Sequence, residues 1–201
     1  MGLRKFQEIE LASNKDKASW VGWSNTHPVL CIGSEKGSLV FYNRKSQRKI
    51  PCISKHGKKV THGDWHPEGL LITCSEDKLL TISNQQGDTM QDSFIVKAEP
   101  TFIKWCPSLD PNKKTVTAII GGKQVIVLDT PTQKSIVVSF AAAYGRVVNY
   151  DWYGEDHLIV GFEKGIIAFI SVHPDSMGQE KFTVNVGPSG PIDCFVLCIE
   201  H

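Results

Sequence analysis

Short apolar runs separated by turn-forming residues recur along the chain, and no segment holds the sustained apolar period of about 3.6 residues that marks a helix. Such runs cover 29–32, 70–73, 117–120 and 158–160. Each is followed by residues that tolerate tight turns, and then by a further apolar run. Because short runs with β-branched and aromatic side chains are typical of strands, the pattern predicts an all-β protein.

A tryptophan stands shortly before each of these runs. The four residues are Trp23, Trp65, Trp105 and Trp152, spaced 42, 40 and 47 residues apart. This spacing matches the ~40–45 residues of a WD-repeat propeller blade. An immunoglobulin-like sandwich would also contain many short strands, but it would not repeat the layout from tryptophan to turn. We therefore interpret the four tryptophans as structural anchors of propeller blades.

The repeat predicts a WD-repeat β-propeller with about four four-stranded antiparallel blades, partial units at both ends and an incomplete ring. The predicted blades cover 18–57, 58–98, 99–144 and 145–186, and residues 187–201 begin a further, truncated unit. Together they form a single partial propeller over residues 1–201.

Composition adds exclusions to this picture. The chain has 201 residues, 41% of them hydrophobic and 21% charged, with a formal net charge of +1. This near-neutral balance gives no overall field that would attract nucleic acid or an anionic membrane. The first residues lack a secretory apolar segment, and no run reaches the ~18 apolar residues of a transmembrane helix. We therefore expect a cytoplasmic chain without a transmembrane segment.

The six cysteines are expected to be reduced thiols in such a compartment. Cys31 and Cys74 lie inside apolar runs, where cysteine behaves as a small hydrophobic residue. Cys194 and Cys198 would lie roughly 13 Å apart along a strand, too far to share a metal or a disulfide. We therefore expect buried thiols rather than a redox or metal site.

The sequence does not predict an enzyme. Gly121 and Lys123 lie in a turn without the remaining residues of a phosphate-binding loop, and no serine stands in a nucleophile elbow. His62 and His66 have a zinc-like spacing, but in a strand and turn they would lie roughly 13 Å apart. We therefore expect no catalytic site, no cofactor and no metal. The tryptophans are assigned to the core, so no nucleic-acid partner is expected either.

The second repeat resembles the WD repeat most completely, from His56 to Asp77. This resemblance implies a structural role for His56 and Asp77 in a hydrogen-bonded network that ties the outer strands to a turn between strands. The final Trp-Asp of the WD repeat is replaced here by Ser83 and Asn84. The other repeats lack the histidine, so we expect them to be held together by packing more than by a polar network.

The loops carry a more specific resemblance than the strands. The informative stretches are 42–51, 55–61, 76–89 and 144–154. Over roughly residues 18 to 185, the chain resembles the WD-repeat propeller subunits of intraflagellar transport complex A. Loops vary freely unless they are inherited or used, so agreement in loops is informative.

The resemblance implies a non-catalytic scaffold that acts in retrograde intraciliary transport, cilium assembly and delivery of membrane receptors to the cilium. It implies the other complex A subunits and ciliary cargo adaptors as partners, and a location at the cilium, its basal body and its axoneme. Family members are far longer, so it also implies a fragment or truncated form. The alternative is a generic WD-repeat adaptor in a membrane coat, a ubiquitin ligase or an RNA-processing assembly, since the fold alone hosts all of these.

One stretch of the chain is strongly basic and contains no acidic residue. Its cations are Arg44, Lys45, Arg48, Lys49, Lys55, Lys58 and Lys59. The simpler interpretation is a solvated hairpin and the loop that follows it. The alternative is a contact with phosphoinositide head groups or with an acidic partner, because each cation near an anionic membrane contributes roughly 1 kcal/mol.

Overall fold

A computed structural model describes residues 9, 11, 13, 15–108, 110 and 112–187 of the chain. Sixteen strands in this part of the chain form four antiparallel sheets, each of four strands that are consecutive in sequence. The prediction of an all-β fold with four four-stranded antiparallel blades is therefore confirmed. Residues 188–201, with Cys194 and Cys198, lie outside the described residues.

The strands of each sheet follow one another in space as they do in the chain. Sheet 1 contains β1 (Ala18–Trp23), β2 (Val29–Ser34), β3 (Leu39–Asn43) and β4 (Arg48–Cys52). Sheet 2 contains β5 (Val60–Trp65), β6 (Leu71–Ser75), β7 (Leu79–Ser83) and β8 (Phe94–Ile95). Sheet 3 contains β9 (Pro100–Trp105), β10 (Thr115–Ile120), β11 (Gln124–Asp129) and β12 (Lys134–Ser139). Sheet 4 contains β13 (Val147–Tyr153), β14 (His157–Phe162), β15 (Ile166–Ser171) and β16 (Glu180–Asn185).

The burial of the inner strands explains why apolar and polar residues alternate so little along them. All five residues of β6 are buried, because inner strands are covered on both faces and need apolar or hydrogen-bonded side chains throughout. The outer strand β16 is exposed at all six positions. Pro51 lies in the outer strand β4, where a missing backbone donor leaves no neighbouring strand unpaired.

The helical content of the described residues consists of two short 3-10 helices, Ala142–Tyr144 and Pro174–Ser176. No helix in this part of the chain is long and apolar enough to cross a membrane. The chain divides into two compact units, Met1–Ile95 and Val96–His201. We call them the N-terminal unit, with sheets 1 and 2, and the C-terminal unit, with sheets 3 and 4.

In the N-terminal unit, sheets 1 and 2 pack through one apolar cluster. Leu39 and Phe41 from sheet 1 meet Trp65 from sheet 2, and the rings of Phe41 and Trp65 lie edge to face with centroids 6.2 Å apart. The Trp65 indole Nε1–H donates to the Gly22 carbonyl at 3.0 Å. Trp20 lies so close to Gly63 that a Cβ there would stand 2.8 Å from the indole ring. Trp20 therefore fills the space that the missing side chain of Gly63 leaves.

In the C-terminal unit, sheets 3 and 4 share a larger apolar cluster. The Tyr150 side chain is fully buried in it, and the ring packs edge to face on Phe102 with centroids 5.2 Å apart. The Tyr150 hydroxyl donates to the Thr117 carbonyl of sheet 3. Phe162, in turn, contacts the rings of Phe140 and Tyr144. Aromatic side chains from both sheets thus fill the centre of this contact.

Candidate functional site

A hydrogen-bonded network in sheet 2 joins His56 to three other side chains. His56 Nδ1 lies 3.2 Å from Asp77 Oδ2, and His56 Nε2 lies 3.0 Å from Thr73 Oγ1 and 3.1 Å from Thr81 Oγ1. The two threonine hydroxyls are 2.9 Å apart. The Asp77 carboxylate also accepts backbone N–H groups from Gly57 at 2.8 Å and Leu79 at 3.0 Å. The network therefore ties the loop before β5 to the turn between β6 and β7.

The charge state of this network follows from its burial. Burial lowers the pKa of His56 and outweighs the Asp77 carboxylate, which raises it, so the imidazole is neutral at pH 7. A carboxylate can only accept, so Nδ1 carries the proton and Nε2 accepts from a threonine hydroxyl. Burial raises the pKa of Asp77, but the hydrogen bonds from Gly57 and Leu79 outweigh it and leave the pKa below its usual value. The contact of His56 with Asp77 is thus a hydrogen bond to an ionised carboxylate rather than an ion pair.

The four tryptophans do not all lie in the core. Trp65, Trp105 and Trp152 are buried, but Trp23 is 51% exposed, so the expectation that every anchor tryptophan belongs to the core is wrong for Trp23. Within each unit, the tryptophan of the later sheet belongs to the cluster that joins it to the earlier sheet. Trp23 belongs to sheet 1, and no described sheet precedes it. Its position in the repeat therefore does not bury it.

The structure divides the basic stretch into two groups. Arg44 and Lys45 lie in the turn between β3 and β4, and Arg48 and Lys49 lie at the adjoining end of β4. We call these four residues the hairpin group, and all four are exposed. The remaining three cations lie beyond the other end of β4 and form the loop group: Lys55, Lys58 and Lys59. A strand of five residues is roughly 15 Å long, so the seven cations do not form one continuous patch.

The two groups differ in their surroundings. Arg44 and Lys45 line an open groove of about 500 Å³ together with Trp23 and His27. In the loop group, Lys55 is half-buried and its Nζ lies 2.5 Å from Thr89 Oγ1. The hairpin group therefore presents exposed cations beside the exposed ring of Trp23.

The cysteines and histidines form no site of their own in the described part of the chain. Cys31 and Cys74 are buried, as predicted, and burial raises the pKa of the Cys74 thiol to about 12. Such thiols are protonated at pH 7 and therefore poor nucleophiles. His62 lies in β5 and His66 just after it. Among the described residues, no group of three or more His, Cys, Asp or Glu side chains is arranged to hold a metal ion.

A cleft in the C-terminal unit was not predicted from the sequence. It has a volume of about 420 Å³ and lies between the ends of strands from sheets 3 and 4. Its apolar lining includes Val127, Ile136, Trp152, Val172 and Met177. In the sequence these residues look like ordinary strand and loop positions. No motif marks them, because a gap between two sheets is not a property of consecutive residues.

The repeated sheets and their loops can be compared with known proteins. A family described as WDR19 first beta-propeller matches residues 1–189. The chain is 38% identical over 175 residues to WD repeat-containing protein 19 of Mus musculus, and 34% identical over 178 residues to the protein of that name in Homo sapiens. Each match covers 84% of this chain and 13% of the relative, so the chain spans about an eighth of the length of these proteins.

A solved structure supports the fold independently. The crystal structure of the Cps50 (Swd1) β-propeller domain from Myceliophteria thermophila superposes with a TM-score of 0.72. The match covers 92% of this chain and 62% of that chain at 14% identity. At this identity the likeness concerns the fold alone, and it confirms the predicted β-propeller class.

Proposed function

Because the chain belongs to the WDR19 first beta-propeller family, we propose that it is a non-catalytic scaffold segment of intraflagellar transport complex A. In this role it contributes to retrograde intraciliary transport, to cilium assembly and to delivery of membrane receptors to the cilium. Its direct partners are the other subunits of complex A, with ciliary cargo adaptors as further partners. Its location is the cilium, including the basal body and the axoneme.

The observation that carries this proposal is the extent of the family match. It covers residues 1–189 and therefore includes the turns and loops as well as the strands. A propeller binds partners through such loops, whereas strand packing follows from the fold and is shared by unrelated propellers. A match that extends through the loops therefore favours an inherited role over a fold-level likeness.

Affinity purification tests the proposal. The tagged 201-residue chain is expressed in ciliated and non-ciliated cells, and the proteins that copurify are identified by mass spectrometry. We expect complex A subunits from ciliated cells. The matched control is Trp65→Ala, which removes the indole that joins sheets 1 and 2 and should reduce recovery of partners that need a folded surface. Recovery of coat, ubiquitin-ligase or RNA-processing subunits instead would support the generic adaptor.

We further propose that the hairpin group is the contact for a phosphoinositide-containing membrane surface. All four of its cations are exposed, no ion pair among the described residues neutralises them, and Trp23 lies beside two of them. Each exposed cation contributes roughly 1 kcal/mol near an anionic surface. An aromatic ring next to these cations is suited to the boundary between head groups and acyl chains.

Vesicle sedimentation tests this contact. We expect the chain to bind phosphatidylcholine vesicles that contain a phosphoinositide, and not vesicles of phosphatidylcholine alone. Reversal of the hairpin group to Glu should abolish binding. The charge-matched comparison reverses Arg48 and Lys49 in one variant and Lys58 and Lys59 in the other, and the second variant should bind more tightly. Equal loss in both variants, or no binding by the unaltered chain, would exclude the hairpin group as a specific membrane contact.

A further inference from the structure

The cleft in the C-terminal unit has a filled counterpart in the N-terminal unit. Strand pairing places Val127 of β11 opposite Ile136 of β12, and it places Phe41 of β3 opposite Ile50 of β4. Val127 and Phe41 are thus equivalent positions in the two sheet contacts. The larger Phe41 ring occupies the space beside Trp65, whereas the smaller Val127 leaves the cleft beside Trp152.

The loop after the third strand of the later sheet, β7 in one unit and β15 in the other, adds to this difference. In the N-terminal unit, a Cβ at Gly87 would lie 2.3 Å from the Cys52 sulfur and 3.1 Å from the Phe41 ring, so the backbone packs directly on both side chains. The equivalent contact in the C-terminal unit is looser, since a Cβ at Gly178 would lie 3.6 Å from Val138. The groove between the sheets is therefore closed in one unit and open in the other.

One wall of the open cleft is a buried tryptophan whose indole N–H differs in its hydrogen bonding from that of its counterpart in the N-terminal unit. Trp152 is 94% buried and lines the cleft, and its indole Nε1–H has no partner among the described residues, whereas Trp65 Nε1–H donates to the Gly22 carbonyl. The Nε1 atom is covered by the protein, so other atoms of the Trp152 indole form the wall of the cleft.

The charged side chains around the cleft carry a small negative excess. Lys113 Nζ lies 3.2 Å from Glu155 Oε2 and 3.2 Å from Asp156 Oδ1, so one ammonium group is shared by two carboxylates. Lys134 of β12 stands opposite Asp129 of β11 in the strand register. The lining thus holds three carboxylates and two ammonium groups. This balance favours a ligand with positive rather than negative charge at its ends.

We propose that the cleft binds a short extended peptide segment that inserts one apolar side chain and carries lysine or arginine on either side of it. The apolar side chain contacts Val127, Ile136 and Met177 beside the Trp152 ring. The flanking basic residues lie against the carboxylates at the mouth. A volume of about 420 Å³ is within the range of sites that hold small ligands and single side chains of peptides. This inference rests on the cleft alone and is independent of complex A membership.

The indole signals in a proton–nitrogen NMR spectrum of the full chain provide a direct test. The five tryptophans give separate indole signals, and Trp152→Phe identifies the one of interest. On addition of the blocked peptide Ac-Lys-Leu-Lys-NH2, we expect the Trp152 signal to shift and the Trp65 signal to stay, because Trp152 lines the cleft and Trp65 belongs to the apolar cluster of the N-terminal unit. Ac-Lys-Ser-Lys-NH2 should bind roughly tenfold more weakly, since it lacks the apolar side chain. Ac-Glu-Leu-Glu-NH2 should bind several-fold more weakly than the lysine peptide.

Two variants place the binding in the cleft. Val127→Phe introduces the residue that closes the equivalent groove in the N-terminal unit, and we expect it to abolish the shift. If that variant does not fold, Ile136→Ser takes its place, because Ile136 is half-exposed and its replacement leaves the core intact. The proposal is overturned by an unmoved Trp152 signal, by equal affinity for the leucine and serine peptides, or by unchanged binding in a folded variant. Tighter binding of the glutamate peptide would overturn the assignment of basic flanks.

Discussion

The two units build the same contact between sheets with different distributions of side-chain volume. In the N-terminal unit the earlier sheet supplies Trp20 and the later sheet supplies Gly63. In the C-terminal unit the corresponding pair is Phe102 and Tyr150, whose rings share the space. At these two positions the volume between the sheets is filled in both units, because a packed core tolerates neither a gap nor an overlap. Individual positions can therefore vary widely.

The polar content of the two contacts differs as well. In sheet 2, Thr73 is paired with Thr81, and both hydroxyls lie at His56. The equivalent pair in sheet 4 is Val160 and Ala168, which belong to the apolar cluster. The same strand geometry is thus stabilised by a hydrogen-bonded network in one sheet and by apolar packing in the other.

The largest expected effect comes from removing an aromatic ring from the contact between sheets 3 and 4. Tyr150→Ala should lower the free energy of unfolding by about 3–5 kcal/mol, because it leaves a cavity between sheets 3 and 4. Tyr150→Phe keeps the ring and loses only the hydrogen bond to the Thr117 carbonyl, and it should cost about 1 kcal/mol. Urea denaturation of both variants measures the difference. Equal costs would show that the ring does not hold the sheets together.

A second comparison uses two glycines in equivalent loops. Gly87 and Gly178 both have positive φ, at 84° and 76°, so alanine is strained at either position. Only at Gly87 would the new Cβ also overlap Cys52. We expect Gly87→Ala to lower the free energy of unfolding by about 1–3 kcal/mol more than Gly178→Ala does, as measured by thermal or urea unfolding. Equal costs would mean that the N-terminal groove is not closed by this loop.

The hydrogen-bonded network around His56 predicts that the stability of the N-terminal unit depends on pH. The pKa of His56 is lower in the folded chain than in the unfolded chain, so stability is fully present above about pH 6.5 and is lost as the pH falls through the folded pKa. His56→Gln should lower the free energy of unfolding by about 2 kcal/mol at pH 8. It should also make the free energy of unfolding depend less on pH below pH 6.5. Urea titrations at pH 5 to 8 measure both. An unchanged decline would assign the pH dependence to other groups.

The smallest expected effect concerns the ion pair between sheets 3 and 4. Lys104 Nζ lies 2.7 Å from Asp151 Oδ1, but both side chains are about one-third exposed, so solvent screens the pair. Lys104→Met should lower the free energy of unfolding by less than about 1 kcal/mol. The loss should shrink further in high salt. A cost as large as that of Tyr150→Ala would contradict the view that packing holds this contact.

The sequence predicts the strands well because their signals are local. Each apolar run and each turn can be read within a few residues, and the four tryptophans give the period. The burial of Cys31 and Cys74 follows from the same runs. The exposure of Trp23 does not, because burial depends on which sheet lies against a residue and not on its place in the repeat.

The sites are less accessible to sequence reasoning. The basic stretch is continuous in the chain, but β4 separates its cations into two groups because a strand carries its two ends apart. The cleft depends on Val127, Trp152 and Met177, which come from two sheets and a loop. No local pattern joins them.

The sequence by itself determined the fold class, the repeat and the family, since turn chemistry, strand periodicity and loop identity are properties of consecutive residues. Only the tertiary structure decided how each pair of sheets is filled. Packing is a condition on summed volume across elements distant in the chain, so Phe41 closes one groove and Val127 leaves the other open. Only the tertiary structure shows that the Trp65 indole donates to the Gly22 carbonyl and that the Trp152 indole has no acceptor among the described residues.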